Sequence, residues 1–498
     1  MTSLATECTP KSNVFGRLEG RPIVTDFKGG EMTQDGGLIL VSALDRALGV
    51  SERLRLSACF TDQRDDRYVQ HSLKDLVAQR LYGLVQGYED LNDHDKIRHD
   101  GLFGLAIGKR SSSHSRCAPL AGKSTLNRLE LAMQVPFDLS NERYQKYNLD
   151  PTAMADLLVT LFLEQHPAHA PKQVILDMDV TNDEVHGQQA ETSFNGYYGQ
   201  TCYTPLLIFC GRYLLSSKLR PSNVDPAAGA LDELQRIIPQ IRQQWPNVEI
   251  VVRGDSAYSR EDMMQWCEAE KGVEYVVAHA SNARLRERTW HLEERAKAAY
   301  MKSRDLISAE LKARLGDIPE ALADLDALVP PQTYYQSLNY QTERSWSVSR
   351  RLVCKLTYDG KGVRRHFIVS SWTAQQMSPA KLHAEYYCPR GEMENRIKEH
   401  QIDLFSDRTS THEFESNQLR LWFSSFAYVL MQALRQQTLE GTELAVAQCG
   451  TIRRTLLKIS AQIRVSARRV LISFSGDEPI QALFDQVYQR LARLNRPG

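Results

Sequence analysis

The stretch Val174 to Thr181 reads Val-Ile-Leu-Asp-Met-Asp-Val-Thr, a strand-forming run that carries two carboxylates two positions apart. In an extended strand side chains alternate faces, so Asp177 and Asp179 point one way with Ile175 behind them, and Leu176, Met178 and Val180 point the other. A strand this apolar belongs inside a sheet. A carboxylate at its end is costly unless a cation, a partner or a reaction uses it. For Asp177 two readings stand: a cap on the turn into Asn182-Asp183, or an acid supporting a site.

Further strand patterns follow. Cys202 to Phe209 and Arg212 to Leu219 meet near Gly211, so with the first strand they predict an antiparallel meander. Asp225-Pro226 supplies a cap and a first-turn proline for a helix whose stripe is Leu231, Leu234, Ile238 and Ile241, kinked at Pro239. Val248 to Arg253 is the next strand and ends in Gly254-Asp255-Ser256-Ala257-Tyr258. A second acid thus sits at the carboxyl end of a buried strand, where open α/β sheets place their ligands. A helix from Arg260 to Glu270 and a strand from Glu274 to His279 complete the series.

From Arg284 to Leu325 the chain is charged and helical, and from Tyr334 to Trp372 strands alternate aromatic with basic residues, as in Trp346-Ser-Val-Ser-Arg350-Arg351 and Arg364-Arg365-His366-Phe367. The region reads as an insertion. Its rings and arginines suit a face that stacks on bases and binds phosphates, or the two-sided packing of an ordinary β-domain. The segment after it, Tyr387 to Gln401, is helical from Gly391, which sets Arg390, Glu394, Ile397, Lys398 and Gln401 on one face. Glu392 lies about 200 degrees from Glu394 around that helix and cannot share its target. Three carboxylates brought together serve two divalent cations, one activating a water or a 3′-hydroxyl and the other stabilising the oxygen that departs from a phosphodiester. Magnesium or manganese suits such an all-oxygen site.

The arrangement resembles the DDE transposases of bacterial insertion sequences, in the group with a ribonuclease H-like core and a β-rich insertion before the third acid. In that family the first acid lies in an apolar-Asp-x-Thr context, matched by Asp179-Val180-Thr181, and the second is a strand-end Asp followed closely by an aromatic, matched by Asp255 and Tyr258. The third lies in Y-x2-R-x3-E-x6-K, matched by Tyr387, Arg390 and Glu394, while the final lysine falls on Gln401. His186-Gly187-Gln188-Gln189 and Gly87-Tyr88-Glu89-Asp90 also look like a subgroup of the family.

The resemblance implies that Asp179, Asp255 and Glu394 are the catalytic, metal-binding triad for two Mg²⁺ ions, with Mn²⁺ as substitute, and that Asp177 is a supporting acid. It implies that Tyr387 and Arg390 position the scissile strand, that Lys398 takes over the phosphate contact of the missing lysine, and that Trp346 or Trp372 stacks on a displaced base. The partners implied are double-stranded DNA, as terminal inverted repeats and as target, and a second protomer in a homodimer on DNA. Cleavage of the element's ends and joining of their 3′-hydroxyls to target DNA is the activity implied. A metal-dependent nuclease on the same core, or a DNA-binding protein with a dead site, are the rivals.

The rest of the chain sets bounds. With 498 residues, two to four domains are expected. Lys and Arg number 61, as do Asp and Glu, so any surface for nucleic acid must be local. Nine scattered cysteines with no C-x-x-C pair argue against a disulfide framework or a zinc site and fit a reducing cytoplasm. The N-terminus shows no secretion signal, and Leu421 to Met431 is too short to span a bilayer, so no membrane is expected.

Gly122-Lys123-Ser124-Thr125 mimics the tail of a phosphate-binding loop, but the motif's first glycine would fall on Cys117 and no strand precedes it. No nucleotide cofactor is expected. A short helix from Ser124 with Arg110, Arg116, Lys123 and Arg128 around it reads as a DNA-contacting element or as a solvated basic helix. The acid- and histidine-rich stretch Asp90 to Asp100 fails the calcium-loop spacing and reads as a solvated loop or helix start.

The expected organisation is an α/β protein: a mainly helical N-terminal DNA-binding region over 1–165, catalytic core over 166–283, insertion over 284–372, core with the third acid over 373–438, and a basic C-terminal region over 439–498. In that tail Arg453, Arg454, Lys458, Arg464, Arg468 and Arg469 precede the first acid, Asp477, and Val470 to Phe474 suggests a terminal strand.

Overall fold

Asp150 accepts hydrogen bonds from the Thr152 and Ala153 amides at 2.9 and 3.0 Å, and Pro151 fills the first turn, so the chain enters helix α1 (Pro151–Glu164). It then runs through β1 (Gln173–Val180), β2 (Leu206–Cys210), β3 (Tyr213–Lys218), α2 (Ala230–Gln244), β4 (Glu249–Gly254), α3 (Glu261–Ala269) and β5 (Val273–His279). The charged stretch forms α4 (Trp290–Leu315). Next come β6 (Gln332–Tyr340), β7 (Arg350–Asp359), β8 (Gly362–Ser370), α5 (Gly391–Lys398) and α6 (Phe414–Thr438). The computed structural model describes residues 13–18, 21–25, 30–56, 59–109, 118–134, 146–166, 170–315 and 325–494.

Eight strands form one sheet in the order β3-β2-β1-β4-β5-β8-β7-β6. β2 pairs antiparallel with β1 and β3, β4 pairs parallel with β1 and β5, and the remaining pairs are antiparallel. The first five strands along the chain thus stand in the order 3-2-1-4-5 within it. Alternation along β1 decides its faces. Leu176 and Met178 enter a large core with Phe162 of α1, Ile237 of α2 and Met264 of α3, whereas Ile175 packs on the opposite face with Tyr386 and Tyr387. Asp177 and Asp179 therefore face the segment that leads into α5.

Some expectations change. The predicted strand 202–209 breaks at Thr204-Pro205, because proline has no amide to donate to a ladder; its first part, Gln200–Tyr203, joins a separate three-stranded sheet with Asp183–Glu184 and Ser193–Asn195. The helix predicted from Asp225 begins at Ala230, after Gly229 with φ 75°; Asp225 instead caps a turn by accepting from the Ala227 amide at 2.9 Å. Its buried stripe is Leu234, Ile237, Ile238 and Ile241, without Leu231. The β-rich insertion is no separate sheet: β8 pairs with β5, so β6 to β8 extend the core sheet.

The chain divides into two compact units, 150–425 and 1–149 with 426–498. In the latter, the apolar stripe after Ser72, with Asp75 three residues on, predicts a helix over 72–85; the observed helix, Leu73–Gln86, carries a reciprocal capping box between Ser72 and Asp75 and ends at Gly87 with φ 91°. His94, expected in a solvated segment, is buried, with Nδ1 3.1 Å from Gln79 Nε2. Gly29-Gly30 and Gly36-Gly37 predict an irregular arm over residues 1 to about 35, whereas Asn13–Leu18 and Arg21–Thr25 pair antiparallel.

The terminal strand Val470–Phe474 forms and pairs with Ala461–Val465. Arg453 of the basic tail donates to the Leu84 and Val85 carbonyls, and Lys458 pairs with Asp35 at 2.7 Å. None of the described cysteines forms a disulfide. Among the described residues no helix is long and apolar enough to cross a membrane.

Candidate active site

The parallel pairing of β1 with β4 brings the first two acids together. In its register Met178 lies opposite Gly254, so Asp179 and Asp255, one residue further along each strand, emerge side by side at the carboxyl ends. Asp255 turns the chain at once by accepting from the Ala257 amide at 2.9 Å. The third acid arrives on a helix of mixed pitch: wider π-helical turns at Leu382–Tyr387 and Glu399–Asp403 flank α5, a departure common near functional sites.

Asp179, Asp255, Arg390, Glu394, Lys398 and Gln401 line one cavity of ≈ 670 Å³, together with Tyr197, Tyr198, Tyr258 and Arg260. The face shared by Arg390, Glu394, Ile397, Lys398 and Gln401 turns to this cavity, and Glu392 is absent from its lining. Arg390 Nη1 donates to Asp179 Oδ2 at 2.7 Å, and the Val180 amide donates to Asp179 Oδ1 at 2.9 Å. Burial pushes the Asp179 carboxyl above its ordinary pKa against the pull of Arg390, and Asp255 adds to the rise. Burial opposes the charge on Arg390, yet Asp179 and Tyr387 beside it hold its pKa above the usual value. The two groups form one coupled pair.

Asp177 does not reach the cavity. It lies under Arg253, whose Nη2 meets Asp177 Oδ2 at 2.7 Å while Nε bonds the other oxygen and Nη1 reaches the Tyr386 carbonyl. That ion pair staples β1 to β4 and to the approach of α5. Asp177 is thus neither a turn cap nor free, and its partner Arg253 gave no signal in the sequence because pairing across strands is invisible until register is known.

Gln401 is also committed: its Nε2 donates to the Asn182 carbonyl and to Asp183 Oδ1 at 3.0 and 3.1 Å, and its Oε1 accepts from Thr181 Oγ1 at 3.1 Å. It braces the exit of β1, which carries Asp179, against the helix that carries Glu394. Asp183 beneath it is fully buried, and burial raises its pKa to about 8. Lys398, by contrast, is exposed and has no ion pair among the described residues, as is true of Glu394.

The remaining sequence candidates do not line the cavity. Tyr387 packs on His366 at 4.7 Å and is not part of the cavity lining. Trp346 is 4% exposed between His279 and Tyr340, and Trp372 packs edge-on against Tyr386 at 4.6 Å, so neither offers a face to a base. Lys123 Nζ meets Asn92 Oδ1 at 3.1 Å and Asp95 at 3.7 Å, whereas Arg128 lines a second cavity with Arg64, Arg98 and Lys146. Arg110 and Arg116 lie outside the described residues. Tyr197 and Tyr198 were missed; the glycines flanking them in Gly196-Tyr197-Tyr198-Gly199 were the available signal of an exposed aromatic turn.

The donor set matches a hard divalent cation: three carboxylates on one cavity wall, with no thiol or imidazole among the lining residues. They share the wall without converging. Among the described residues no three His, Cys, Asp or Glu side chains are grouped closely enough to hold a metal ion. Like charges resist convergence, and Asp179 meets a guanidinium instead.

A family model described as transposase DDE domain group 1 matches residues 15–496. No curated protein matches the chain. Among solved structures, a piggyBac transposase synaptic complex with hairpin DNA is similar at 11% identity and TM-score 0.35, covering 93% of this chain and 83% of that one.

Proposed function

The chain belongs to the transposase DDE domain group 1 family, and from that premise we propose that it cuts the ends of its DNA element and joins the freed 3′-hydroxyls to target DNA, with Asp179, Asp255 and Glu394 holding two Mg²⁺ ions. Transposases of this kind work with divalent metal ions. The observation that carries the residue assignment is the common cavity lined by all three acids, two at the ends of adjacent parallel strands and one on α5. Bound there, the ions supply a nucleophile at neutral pH and stabilise the departing oxygen.

The chain's own groups hold the substrate. Lys398, exposed beside the acids, contacts a DNA phosphate, in place of the lysine that the family carries where Gln401 stands. Arg390 fixes the orientation of Asp179 through its 2.7 Å bond and adds positive charge where the scissile strand enters. Gln401 keeps the two acid-bearing elements at fixed separation. Two DNA ends must be joined in one event, so a homodimer on DNA is the working assembly, and the bacterial cytoplasm is where it acts.

The test is strand cleavage and joining of a duplex taken from the flanks of the gene, with Mg²⁺ or Mn²⁺, comparing wild type with Glu394→Gln. The substitution keeps shape and hydrogen bonding but removes the charge that a cation needs. Wild type cuts and joins, whereas Glu394→Gln binds the same DNA and does neither. Nicking without joining by the wild type moves the nuclease reading ahead, and equal activity of both proteins removes Glu394 from the site.

A further inference from the structure

The reaction proposed above needs the DNA end held in a defined position, and the two tryptophans suited to stacking on a base are both buried. The ring that stands free at the cavity is Tyr197. It is 90% exposed, yet it lines the same cavity as Asp179, Asp255 and Glu394. A phenol ring left in water forgoes a large apolar contact, so its placement at the mouth of a site calls for an occupant.

The turn that presents it is built rather than loose. Asn195 Oδ1 accepts from the amides of Tyr197 and Tyr198 at 3.0 and 3.3 Å, and the Gly199 amide returns to the Asn195 carbonyl at 2.8 Å. Gly199 takes φ 70°, which a side chain would strain. Asn195 Nδ2 donates to the Ser222 carbonyl at 2.9 Å, tying the turn to a neighbouring segment. Tyr198 meets Tyr197 at 5.0 Å with the rings at 86°, so an edge-on neighbour steadies the pair and a face of Tyr197 stays open. Lys398 lines the same cavity and supplies a cation where a phosphate beside a stacked base would lie.

We propose that Tyr197 is the platform on which a nucleobase of the bound DNA end stacks, with Tyr198 as its buttress. The proposal rests on the reading of the acid cavity as a DNA site. Stacking uses the ring face and not the hydroxyl, tolerates any base, and holds one nucleotide in register with the acids. Tyr197 is a positioning residue and takes no part in bond breaking.

The test uses the full chain and a gene-flank duplex carrying 5-iododeoxyuridine in place of successive thymidines around the cleavage point. After irradiation the crosslinked residue is mapped, and affinity is measured in parallel for Tyr197→Ala and Tyr197→Phe. The expected result is a crosslink to Tyr197 from one or two adjacent base positions. Tyr197→Phe retains the wild-type affinity, and Tyr197→Ala weakens it by about 5- to 100-fold, with an unchanged melting temperature, as befits an exposed side chain.

If the wild type cuts the DNA while Tyr197→Ala binds and cuts equally well, or the crosslinks map elsewhere, this inference falls and the reading of the cavity stands. Equal loss in Tyr197→Phe and Tyr197→Ala overturns the stacking role, since the hydroxyl then matters. Loss of self-association with unchanged DNA affinity assigns the ring to a protein contact and also overturns it. A wild type that neither binds nor cuts the DNA overturns the reading, and this inference with it.

Discussion

Arg350 on β7 and Lys398 on α5 are both cations that the sequence offered to DNA, and their surroundings differ. Arg350 is 5% exposed and held at 2.6 Å by each of Glu261 and Glu268. Its neighbour Arg351 donates to the carbonyls of Trp372, Thr373 and Met377, Arg364 pairs with Asp359, and Arg365 pairs with Glu293. Throughout the β6 to β8 extension the arginines named in the sequence are claimed from within. At the acid cavity, Lys398 and Glu394 are exposed and have no ion pair among the described residues. A charge is available to a ligand only where the fold leaves it unclaimed, and that, rather than the density of basic residues, separates the candidate site from the scaffold.

The contrast breaks most visibly at Arg350. Arg350→Ala leaves Glu261 and Glu268 facing each other without their shared cation and costs about 3 kcal/mol of stability, read as a fall in denaturation midpoint. DNA affinity measured where the variant is folded stays at the wild-type level. A loss of affinity without a loss of stability would return the extension to the DNA-binding surface.

Buried and exposed acids part in the same way. Asp183 is fully buried and its pKa is raised from 3.8 to about 8. Between those values the folded protein keeps a proton that the unfolded chain has released, so this group's contribution to stability falls as pH rises through the window and levels off above it. Asp183→Asn carries the neutral form at every pH. It is more stable than wild type by on the order of 2 kcal/mol at pH 7, after allowing for the amide it buries, and the gap closes toward pH 4. Unfolding curves at three pH values read this directly, and a pH-independent gap would refute it.

The smallest effect belongs to the exposed cation. Lys398→Ala lowers DNA affinity several-fold, with the slope of log affinity against log salt reduced by about 1 and the melting temperature unmoved. An unchanged slope would mean that Lys398 meets no phosphate.

Local pattern carried much of the fold. The strand at Val174 to Thr181, the capped helix after Ser72 and the shared face of Arg390, Glu394 and Lys398 follow from periodicity and capping, which act over a few residues. What escaped depends on partners far along the chain. Register decided that Asp177 meets Arg253, and the pairing of β8 with β5 decided that the insertion extends the core sheet. The Trp346 ring faces inward because β7 and β8 continue that sheet and share its helix-covered core. Gln401, which looked like a lost phosphate contact, holds the exit of β1 in place. Tyr197 belongs to no motif in the sequence and stands exposed at the cavity.

The most direct test of the acid cavity is Mn²⁺ uptake, followed by loss of the free-ion electron paramagnetic resonance signal, for wild type and Glu394→Gln with a gene-flank duplex bound. The account predicts that wild type takes up about two ions per protomer, that Glu394→Gln loses at least one of them while still binding DNA, and that Arg350→Ala behaves as wild type. Equal uptake by wild type and Glu394→Gln, or none by the wild type, would contradict it.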